Sequence, residues 1–481
     1  MPHWQNVIDY EEGDPRVVEA LHCGYPRFVY PPAVRRLITA LGARYAGPQQ
    51  TVLPCPSLHT ALRVQQHLLA AGIPPQALSI QDVGFEGVAA VVMPDTAAAA
   101  ARTYWQHMGE IVSARLAQRV LGHLDGGRAW DPLPTSPATD PSHHLRRHIA
   151  ALSQQDPDHI QLFSTGMGAV TACTRMLRRA AAGTNRAAAK AVVLGFPYVD
   201  TLKQLQHPHL GPGAHFLPGG DLDQLRALAA REPLLAIYVE TPSNPLLRTV
   251  DMDALRAIAD AAEVPVVVDD SIANYCNVDV LTPGLADVQV SSLTKSFSGR
   301  GNVMGGAMIL NPRSAHFSVL QYHANCSPEP GLYRADAEAL LHNSVNLEAR
   351  TARTNASAER LADFLIDHPA VAAVHYPKFV TPEFYERIRR PTATGYGGLM
   401  SIDLRQPARA AAVHDALVLP KGPGFGTNFS LLCPYTLLAH YYELDFARTH
   451  GVEKSLLRMW VGLEDPDQLI DTWAHALTKA D

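Results

Sequence analysis

Residues 287–306 read DVQVSSLTKSFSGRGNVMGG, a strand pattern that runs into a single lysine. The alternation of apolar and polar residues at its start predicts a β-strand. The strand is followed by the hydroxyl side chains of Ser291, Ser292 and Thr294, then by Lys295, and then by four glycines. An amine at a strand end among hydroxyls and glycines indicates chemistry that arginine cannot perform, such as a Schiff base with a carbonyl compound.

Lysine is scarce in this chain, which supports that interpretation. The sequence has seven lysines, and none of them precedes residue 190. A solvated loop lysine is nevertheless the more common explanation for a lone Thr-Lys pair. The residues elsewhere in the chain have to decide between the two explanations.

The size and composition are those of a globular protein of two or three domains. The chain has 481 residues, of which 47% are hydrophobic and 18% charged, and its net charge is -6. This balance gives no electrostatic basis for binding nucleic acid or an anionic membrane, and no apolar run approaches a membrane span. Six isolated cysteines argue against a disulfide framework or a zinc site. Because the N-terminus lacks the apolar core of a secretory signal, we expect a reduced, cytoplasmic protein.

Four regions follow from the pattern along the chain. Residues 1–100 have the signals of a small α/β extension, and residues 101–145 form a connecting segment that ends in a linker rich in glycine and proline. Residues 146–330 alternate apolar strands with helices, which predicts an α/β domain whose mostly parallel sheet is covered by helices on both faces. Residues 331–481 begin with a long helical pattern and continue as a smaller α+β domain. The strands predicted for the large sheet are residues 159–163, 191–196, 234–240, 264–269, 287–292 and 307–310.

Unusual polar residues follow the ends of these strands. Residues 164–168, STGMG, open a helix whose first N–H groups can bind an anion. The side chains that follow the next three strands are those of Tyr198, of Glu240 and Asn244, and of Asp269. Ligands of open α/β sheets bind beyond the carboxyl ends of the strands, so we expect these groups and Lys295 at one edge of the sheet.

Each of these residues has a common structural explanation when it is taken alone. A tyrosine such as Tyr198 often lies half-buried at a strand end, and an aspartate such as Asp269 often caps a helix or pairs with a cation. The sequence GMGAVT partly matches the dinucleotide-binding fingerprint, but Thr171 stands where the third glycine is required. A nicotinamide-dependent dehydrogenase is therefore the weaker alternative. A catalytically inactive scaffold would be expected to lose Lys295 or Asp269.

Together these groups match one cofactor, pyridoxal 5'-phosphate (PLP). Its phosphate requires a helix N-terminus and hydroxyls, and its ring requires an aromatic face. Its pyridine nitrogen requires a carboxylate, and its aldehyde requires a lysine. The sequence therefore predicts a PLP site at this edge of the sheet.

Several segments resemble the Cys/Met-metabolism family of fold-type I PLP enzymes. They are ETPSNPLLRTVD (240–251), VVVDDS (266–271), SSLTKSFSG (291–299) and LLRMWVGLED (456–465). Within that family the chain is similar to the longer, fungal type of cystathionine γ-synthase through EEGDPRV, CGYPRF, YWQHMGE and GTNFSLLCPYTLLAHYYEL. The resemblance covers nearly the whole chain. It implies a fold-type I transferase with an N-terminal extension, a PLP-binding domain at 146–330 and a substrate domain at 331–481.

The resemblance also implies a role for each matching residue at the cofactor. Lys295 would hold the PLP aldehyde, and Asp269 would keep the pyridine nitrogen protonated. Tyr198 would stack on the ring and help with proton transfer, while Asn244 would touch the ring hydroxyl. The residues implied to bind the phosphate are Gly166, Met167, Ser292 and Thr294.

On the substrate side, the resemblance implies that Arg458, with Ser430 nearby, holds the α-carboxylate of an amino acid, for which a bidentate arginine is suited. Two positions depart from the family pattern. Trp460 replaces the serine usually found two residues after this arginine, and Phe429 replaces a glutamate common in γ-synthases. We therefore expect a more apolar pocket for the second substrate.

A third departure concerns the phosphate clamp Tyr-x-Arg, which a neighbouring subunit donates in the family. It appears here as Tyr104, Trp105 and Gln106, so its arginine is missing, and Arg115 is a candidate substitute. Tyr104 would still complete the neighbour's cofactor site. The resemblance thus implies a homodimer or homotetramer with shared active sites.

The activity implied is γ-replacement on O-acyl- or O-phosphohomoserine by a thiol such as cysteine, as in trans-sulfuration for methionine biosynthesis. The freed Lys295 amine would move the α-proton as a positioned acid and base. Three alternatives remain at the level of sequence. They are a γ-lyase of a sulfur amino acid, a β-lyase, and γ-substitution with a carbon or nitrogen nucleophile in a specialised pathway.

Overall fold

A computed structural model describes residues 1–21, 24–126, 140–326 and 329–479. Most of the predicted Gly/Pro-rich linker therefore lies outside the described residues. Within the described ranges, no helix combines the length and the apolar character needed to cross a lipid bilayer.

The N-terminal part of the chain has its own sheet and core. Its elements are α1 (Trp4–Glu11), α2 (Pro15–Val18), α3 (Pro32–Tyr45), β1 (Gln50–Cys55), α4 (Leu58–Ala70), β2 (Ser79–Asp82), β3 (Ala89–Pro94), α5 (Ala98–Met108) and α6 (Ala114–Leu124). The strands pair antiparallel in the order β1-β3-β2. Helix α3 buries Val34, Leu37 and Leu41, which recur at helical spacing and so line one face. That face packs in the same apolar cluster as Trp105 of α5.

The central sheet has seven strands and carries the polar strand ends. The elements of this part are α7 (Pro141–Ser153), β4 (Ile160–Phe163), α8 (Gly166–Ala181), β5 (Lys190–Leu194), α9 (Val199–Gln206), β6 (Ala214–Leu217), α10 (Leu222–Arg231), β7 (Leu234–Glu240), α11 (Met252–Ala261), β8 (Val266–Asp269), β9 (Val288–Ser292), β10 (Gly306–Leu310) and α12 (Phe317–Cys326). Their order in the sheet is β4-β10-β9-β8-β7-β5-β6, and only the pairings of β10 with β4 and with β9 are antiparallel within it. The predicted mostly parallel sheet is confirmed.

Both faces of this sheet are covered, as the apolar strands require. Strand β7 is buried along its whole length. Ile237 and Val239 pack into one apolar cluster with helices α10 and α11, while Tyr238 packs into a second cluster with α8. Successive strand residues therefore serve opposite cores, which explains why an alternating polar pattern is missing here.

The C-terminal part packs helices against a second, smaller antiparallel sheet. Its elements are α13 (Arg334–Ser344), α14 (Leu347–Ile366), β11 (Val371–His375), α15 (Pro382–Ile388), β12 (Leu399–Leu404), α16 (Ala410–Ala416), β13 (Leu431–Pro434), α17 (Tyr435–Ala439), α18 (Leu444–Thr449), β14 (Leu457–Trp460) and α19 (Pro466–Leu477). The strand order is β11-β12-β14-β13. Helices α14 and α19 pack on one face of this sheet, where Leu361 and Trp473 are fully buried.

Gly109 joins the N-terminal part to the central sheet. It follows α5 in the left-handed conformation, with φ of 67°. Its carbonyl accepts hydrogen bonds from the hydroxyls of Ser164 at 3.1 Å and Thr165 at 2.8 Å. A Cβ at this position would lie 2.7 Å from the backbone nitrogen of Gly168. Only glycine allows the connecting turn to lie against the first turn of α8.

We expect Gly109→Ala to destabilise the protein by about 1–3 kcal/mol, since alanine must adopt a left-handed conformation against a backbone that cannot move away. Gly122→Ala on α6 is the matched control, because no described atom lies within 4 Å of its added Cβ. Gly122→Ala should stabilise α6 by roughly 0.5–1 kcal/mol. Urea unfolding of both variants measures the difference, and equal stability of Gly109→Ala and wild type would contradict the tight joint.

Candidate active site

A cavity of ≈ 670 Å³ lies at the carboxyl ends of the parallel strands, between the central sheet and the C-terminal part. The predicted residues that line it are Gly166, Met167, Tyr198, Asn244, Asp269, Ser292, Lys295 and Arg458. These residues come from six separate stretches of the sequence. The rule that ligands bind at strand ends therefore located the cavity.

Lys295 follows β9 and reaches into the cavity between two aromatic rings. Its Nζ lies 4.7 Å from the ring centroid of Tyr25 and 4.6 Å from that of Phe425. Burial lowers the pKa of Lys295, and the Arg458 and Arg27 cations lower it further. The neutral amine that attack on a carbonyl requires is therefore favoured.

The first turn of α8 forms an anion cradle against the end of β9. Thr165 caps the helix, and its hydroxyl accepts a hydrogen bond from the Gly168 N–H at 2.8 Å. A Cβ on Gly166 would meet the Cβ of Ser292 at 2.8 Å, so the two backbones are in close contact. The Ser292 hydroxyl is buried and has no hydrogen-bond partner among the described residues. A helix N-terminus beside an unpartnered hydroxyl suits a phosphate.

Two carboxylates lie side by side at the ends of β7 and β8. Glu240 and Asp269 are directly paired in the strand register. Burial raises the pKa of Asp269; burial and the nearby Asp269 charge raise that of Glu240 well above its usual range. Glu240 accepts the Tyr198 N–H through one oxygen, and within the described part of the chain its buried second oxygen has no partner. A cationic ring nitrogen would supply the positive charge that this pair lacks.

Tyr198 directly precedes α9 and lines the cavity. Its hydroxyl donates to Asp200 at 3.1 Å and accepts a hydrogen bond from Arg27. Burial raises the pKa of Tyr198 well above its usual range, so the phenol stays protonated. Burial alone would raise the pKa of Asp200, but Arg27 and His107 outweigh it and hold that pKa below its usual range.

Arg458 on β14 faces the cavity from the C-terminal part. Its guanidinium donates to the Asn244 side-chain oxygen at 3.0 Å and to the Pro423 carbonyl. The Asn244 side-chain N–H donates in turn to the Tyr435 hydroxyl at 3.0 Å. The guanidinium carbon lies 4.8 Å from the Tyr435 ring centroid and 5.6 Å from that of Phe425. Asn244 therefore orients Arg458, a role that the sequence did not suggest.

The residues present fit PLP. The cradle offers N–H groups and a free hydroxyl to the phosphate, and the paired carboxylates suit the pyridine nitrogen. The Tyr198 ring and the Lys295 amine stand between these two ends, where a ring and an aldehyde would be held. In the described chain, no cluster of histidine, cysteine and carboxylate side chains could hold a metal ion.

The structure contradicts the prediction for Tyr104. Its side chain is 2% exposed inside the N-terminal core, and its hydroxyl donates to Glu110 at 2.5 Å. A side chain enclosed by its own chain cannot complete a neighbour's site. Arg115 donates to Asp336 and to the Asn302 carbonyl, both at 3.0 Å, and its role as the substitute arginine in a neighbour's site stays a prediction.

Ser430 and Thr294 are also corrected. Ser430 is fully buried, and its hydroxyl donates to Glu464 at 2.9 Å and accepts from the Gly462 N–H at 3.0 Å, so it is committed away from the substrate. The Thr294 hydroxyl exchanges hydrogen bonds with the Gly305 backbone at 3.2 and 3.3 Å. Neither residue belongs to the lining of the cavity.

Phe429 and Trp460 do not line the cavity, so they do not supply the apolar pocket that we expected for the second substrate. Phe429 is 42% exposed and lies outside the cavity lining. Trp460 is buried behind the cavity and donates to the Thr427 carbonyl at 2.7 Å. The aromatic residue that lines the cavity there is Phe425, whose ring centroid is 6.1 Å from that of Trp460.

Sequence reasoning missed Tyr25, Arg27, Asp200 and Phe425, all of which line the cavity. Tyr25 and Arg27 belong to CGYPRF, which carried a resemblance but no assigned role. An arginine between two aromatic residues, far from any predicted strand end, was the available signal.

The chain is similar to known proteins over most of its length. Residues 137–478 match the family described as "Cys/Met metabolism PLP-dependent enzyme", and residues 33–113 match "Fungal trans-sulfuration enzyme, N-terminal domain". A cystathionine gamma-synthase of Neurospora crassa is 43% identical over 340 residues, which cover 70% of this chain and 54% of the relative.

Two further similarities cover more of the length of the similar protein. The L-2-amino-4-chloropent-4-enoate dechlorinase/desaturase of Streptantibioticus cattleyicolor is 32% identical over 496 residues, covering 100% of this chain and 95% of the relative. The crystal structure of cystathionine gamma synthase from Xanthomonas oryzae pv. oryzae has the same fold, with a TM-score of 0.61 at 23% identity over 71% of this chain and 86% of that one. This chain belongs to the Cys/Met-metabolism family of PLP-dependent enzymes and uses PLP as its cofactor.

Proposed function

We propose that the protein catalyses γ-replacement on O-acyl- or O-phosphohomoserine by a thiol such as cysteine. The observation that supports this most is the placement of Lys295 and Arg458. The Lys295 amine and the Arg458 guanidinium approach the same Phe425 ring, at 4.6 and 5.6 Å from its centroid. A carboxylate clamp and a proton-moving amine so close together suit an α-amino acid.

When bound, PLP supplies an electron sink beside the α-carbon of the substrate. The Arg458 guanidinium holds the substrate carboxylate, and Asn244 fixes the orientation of that guanidinium. The Lys295 amine, whose pKa burial lowers, accepts the α-proton. We assign the proton for the departing γ-substituent to the protonated Tyr198 phenol, which lines the cavity.

The second substrate would use the remainder of the cavity. Phe425 and Tyr435 form aromatic walls beside Arg458, while Arg35 and Arg102 lie in the outer part of the lining. A small thiol that carries its own carboxylate suits this combination. One relative over the whole chain is named a dechlorinase/desaturase and not a synthase. A γ-lyase, a β-lyase or substitution by another nucleophile is therefore the alternative proposal.

An oligomer stays a prediction from the resemblance, and a cytoplasmic location stays a prediction from the N-terminal sequence and the isolated cysteines. Burial of Tyr104 removes the residue on which shared active sites were argued. A homodimer or homotetramer remains our proposal for the assembly.

Purified protein should absorb visible light when loaded with PLP, and borohydride should bleach this absorbance and attach the cofactor to Lys295. Lys295→Ala should lose the covalent attachment and reduce turnover by at least about 100-fold, since it removes a positioned acid and base. Lys454→Ala, at an exposed lysine, is the control. Mass spectrometry that finds the reduced cofactor on another lysine would refute the assignment.

Arg458→Lys should raise KM for the amino-acid substrate about 10- to 100-fold, because one hydrogen bond to a charged group costs about 1.5–3 kcal/mol. The lysine keeps the positive charge but loses the fork that holds two oxygens. Arg448→Lys is the control, because Arg448 pairs with Asp445 at the surface. Steady-state kinetics measure both variants, and an unchanged KM would remove Arg458 from the carboxylate site.

An O-acylhomoserine with cysteine should give the γ-substituted amino acid faster than it gives 2-oxobutyrate. Chromatography of the amino acid and a colorimetric keto-acid assay measure the two products, with Lys295→Ala as the blank. If 2-oxobutyrate dominates with every nucleophile offered, the protein is a γ-lyase and γ-replacement is wrong.

A further inference from the structure

The N-terminal residues cross the mouth of the cavity as a strap, which we define as residues 1–21 and 24–30. Its beginning is tied to the C-terminal part, where the Trp4 N–H donates to Asp415 at 2.7 Å and the Lys421 amine donates to the Pro2 carbonyl at 2.7 Å. Further along, the Tyr442 hydroxyl donates to the Glu11 carbonyl at 2.5 Å. The strap then enters the cavity with Tyr25.

Arg27 is the most deeply buried charged residue of the strap, with 2% of its surface exposed. Its guanidinium forms an ion pair of 2.7 Å with Asp200, donates to the Tyr198 hydroxyl and donates to the Gln106 carbonyl. Its central carbon lies 5.6 Å from the Tyr198 ring centroid. Arg27 therefore holds both the Tyr198 phenol and the Asp200 carboxylate to which that phenol donates.

Arg27 places a guanidinium beside residue 106, where this chain lacks the arginine of the family pattern. The family pattern places an arginine at that position, and this chain has Gln106, whose side chain lies 3.4 Å from Asp200. The Gln106 carbonyl accepts a hydrogen bond from Arg27. The guanidinium beside residue 106 thus comes from the strap of the same chain.

Tyr25, two residues earlier, forms the roof over the catalytic amine. The Lys295 Nζ is 4.7 Å from its ring centroid, and Phe425 flanks the amine on the other side. Burial would raise the pKa of Tyr25, but Arg27 and the protonated form of Lys295 outweigh it and lower that pKa. The protonation of Tyr25 therefore depends on the charges of Arg27 and Lys295, and the pKa of Lys295 depends on both of these residues.

We propose that Arg27 is a positioning residue of the reaction, which fixes the Tyr198 phenol from within the same chain while Tyr25 closes the site over Lys295. This inference rests on the proposed function only in assigning Tyr198 a proton-transfer role. The charged and titratable groups around Arg27 and Lys295 are Tyr25, Tyr198, Asp200, His107, Asp269 and Arg458.

Two substitutions separate the charge of Arg27 from its geometry. Arg27→Gln removes a cation near Lys295, so the pKa of the lysine nitrogen should rise. Arg27→Lys retains the cation but cannot reach the Asp200, Tyr198 and Gln106 acceptors with one rigid fork. Arg16→Gln is the matched control, because Arg16 lies on the same strap and pairs with Asp14 at the surface with 84% of its side chain exposed.

The experiment uses the full-length holoenzyme at saturating PLP. We expect both Arg27 variants to lose about 100-fold in kcat, the size of effect that misplacing a catalytic group by about 1 Å produces. The visible absorbance of resting Arg27→Gln should titrate at higher pH than that of wild type, whereas resting Arg27→Lys should titrate as wild type does. PLP affinity, measured by fluorescence, should change by less than about threefold in Arg27→Lys because its charge is retained.

Several outcomes overturn the proposal. The first is that Arg27→Gln and Arg16→Gln have the same kcat and that their visible absorbance titrates at the same pH. Another is a main loss of PLP affinity with normal kcat at saturation, which would make Arg27 a phosphate ligand instead. If Arg27→Gln fails to fold, normal kcat in Arg27→Lys overturns the proposal alone. The titration needs no substrate, and kcat can be measured for whichever reaction the enzyme catalyses, so failure of γ-replacement is a separate result.

Discussion

The removal of the Lys295 amine from water is the constraint on which the site depends. Burial lowers the pKa of this amine and the Arg458 and Arg27 cations lower it further, while Tyr25 and Asp269 oppose them. Buried cations require partners in turn. Arg27 pairs with Asp200, and Arg458 donates to Asn244 and a backbone carbonyl. The two cations near Lys295 and the acceptors that pair with them thus make up much of the polar network around the lysine.

The fold was predictable where burial imposes a simple pattern. Strands β5, β7 and β8 are buried and mostly apolar, while β9 alternates apolar and polar residues, and the existence and order of all four along the chain could be predicted. Strand β6 was missed because it is short and half-buried along its length. Strands β11 and β13, of five and four residues, carry no regular alternation. Helix α1 makes hydrogen bonds with distant parts of the chain, which local sequence does not record.

The site was predictable where position along a strand fixes the location of a side chain. Asp269 and Lys295 were found because strand ends share one edge of the sheet. The roles assigned to Tyr104 and Ser430 were wrong because a motif match does not reveal the hydrogen-bond partner of a hydroxyl. Each hydroxyl donates to a carboxylate inside the protein. Arg27 could not be found, since no local pattern connects it with a carboxylate 173 residues away.

The carbonyl of Gly109 bears on the modularity of the chain. It accepts two hydroxyls at the cap of α8, so the N-terminal part is hydrogen-bonded to the helix that forms the phosphate cradle. A catalytic fragment cut at residue 137, where the family match begins, would leave those hydroxyls without this acceptor and the cavity without its roof. In engineering terms, the extension is not a detachable accessory but a part of the smallest unit that could be transplanted with its chemistry intact.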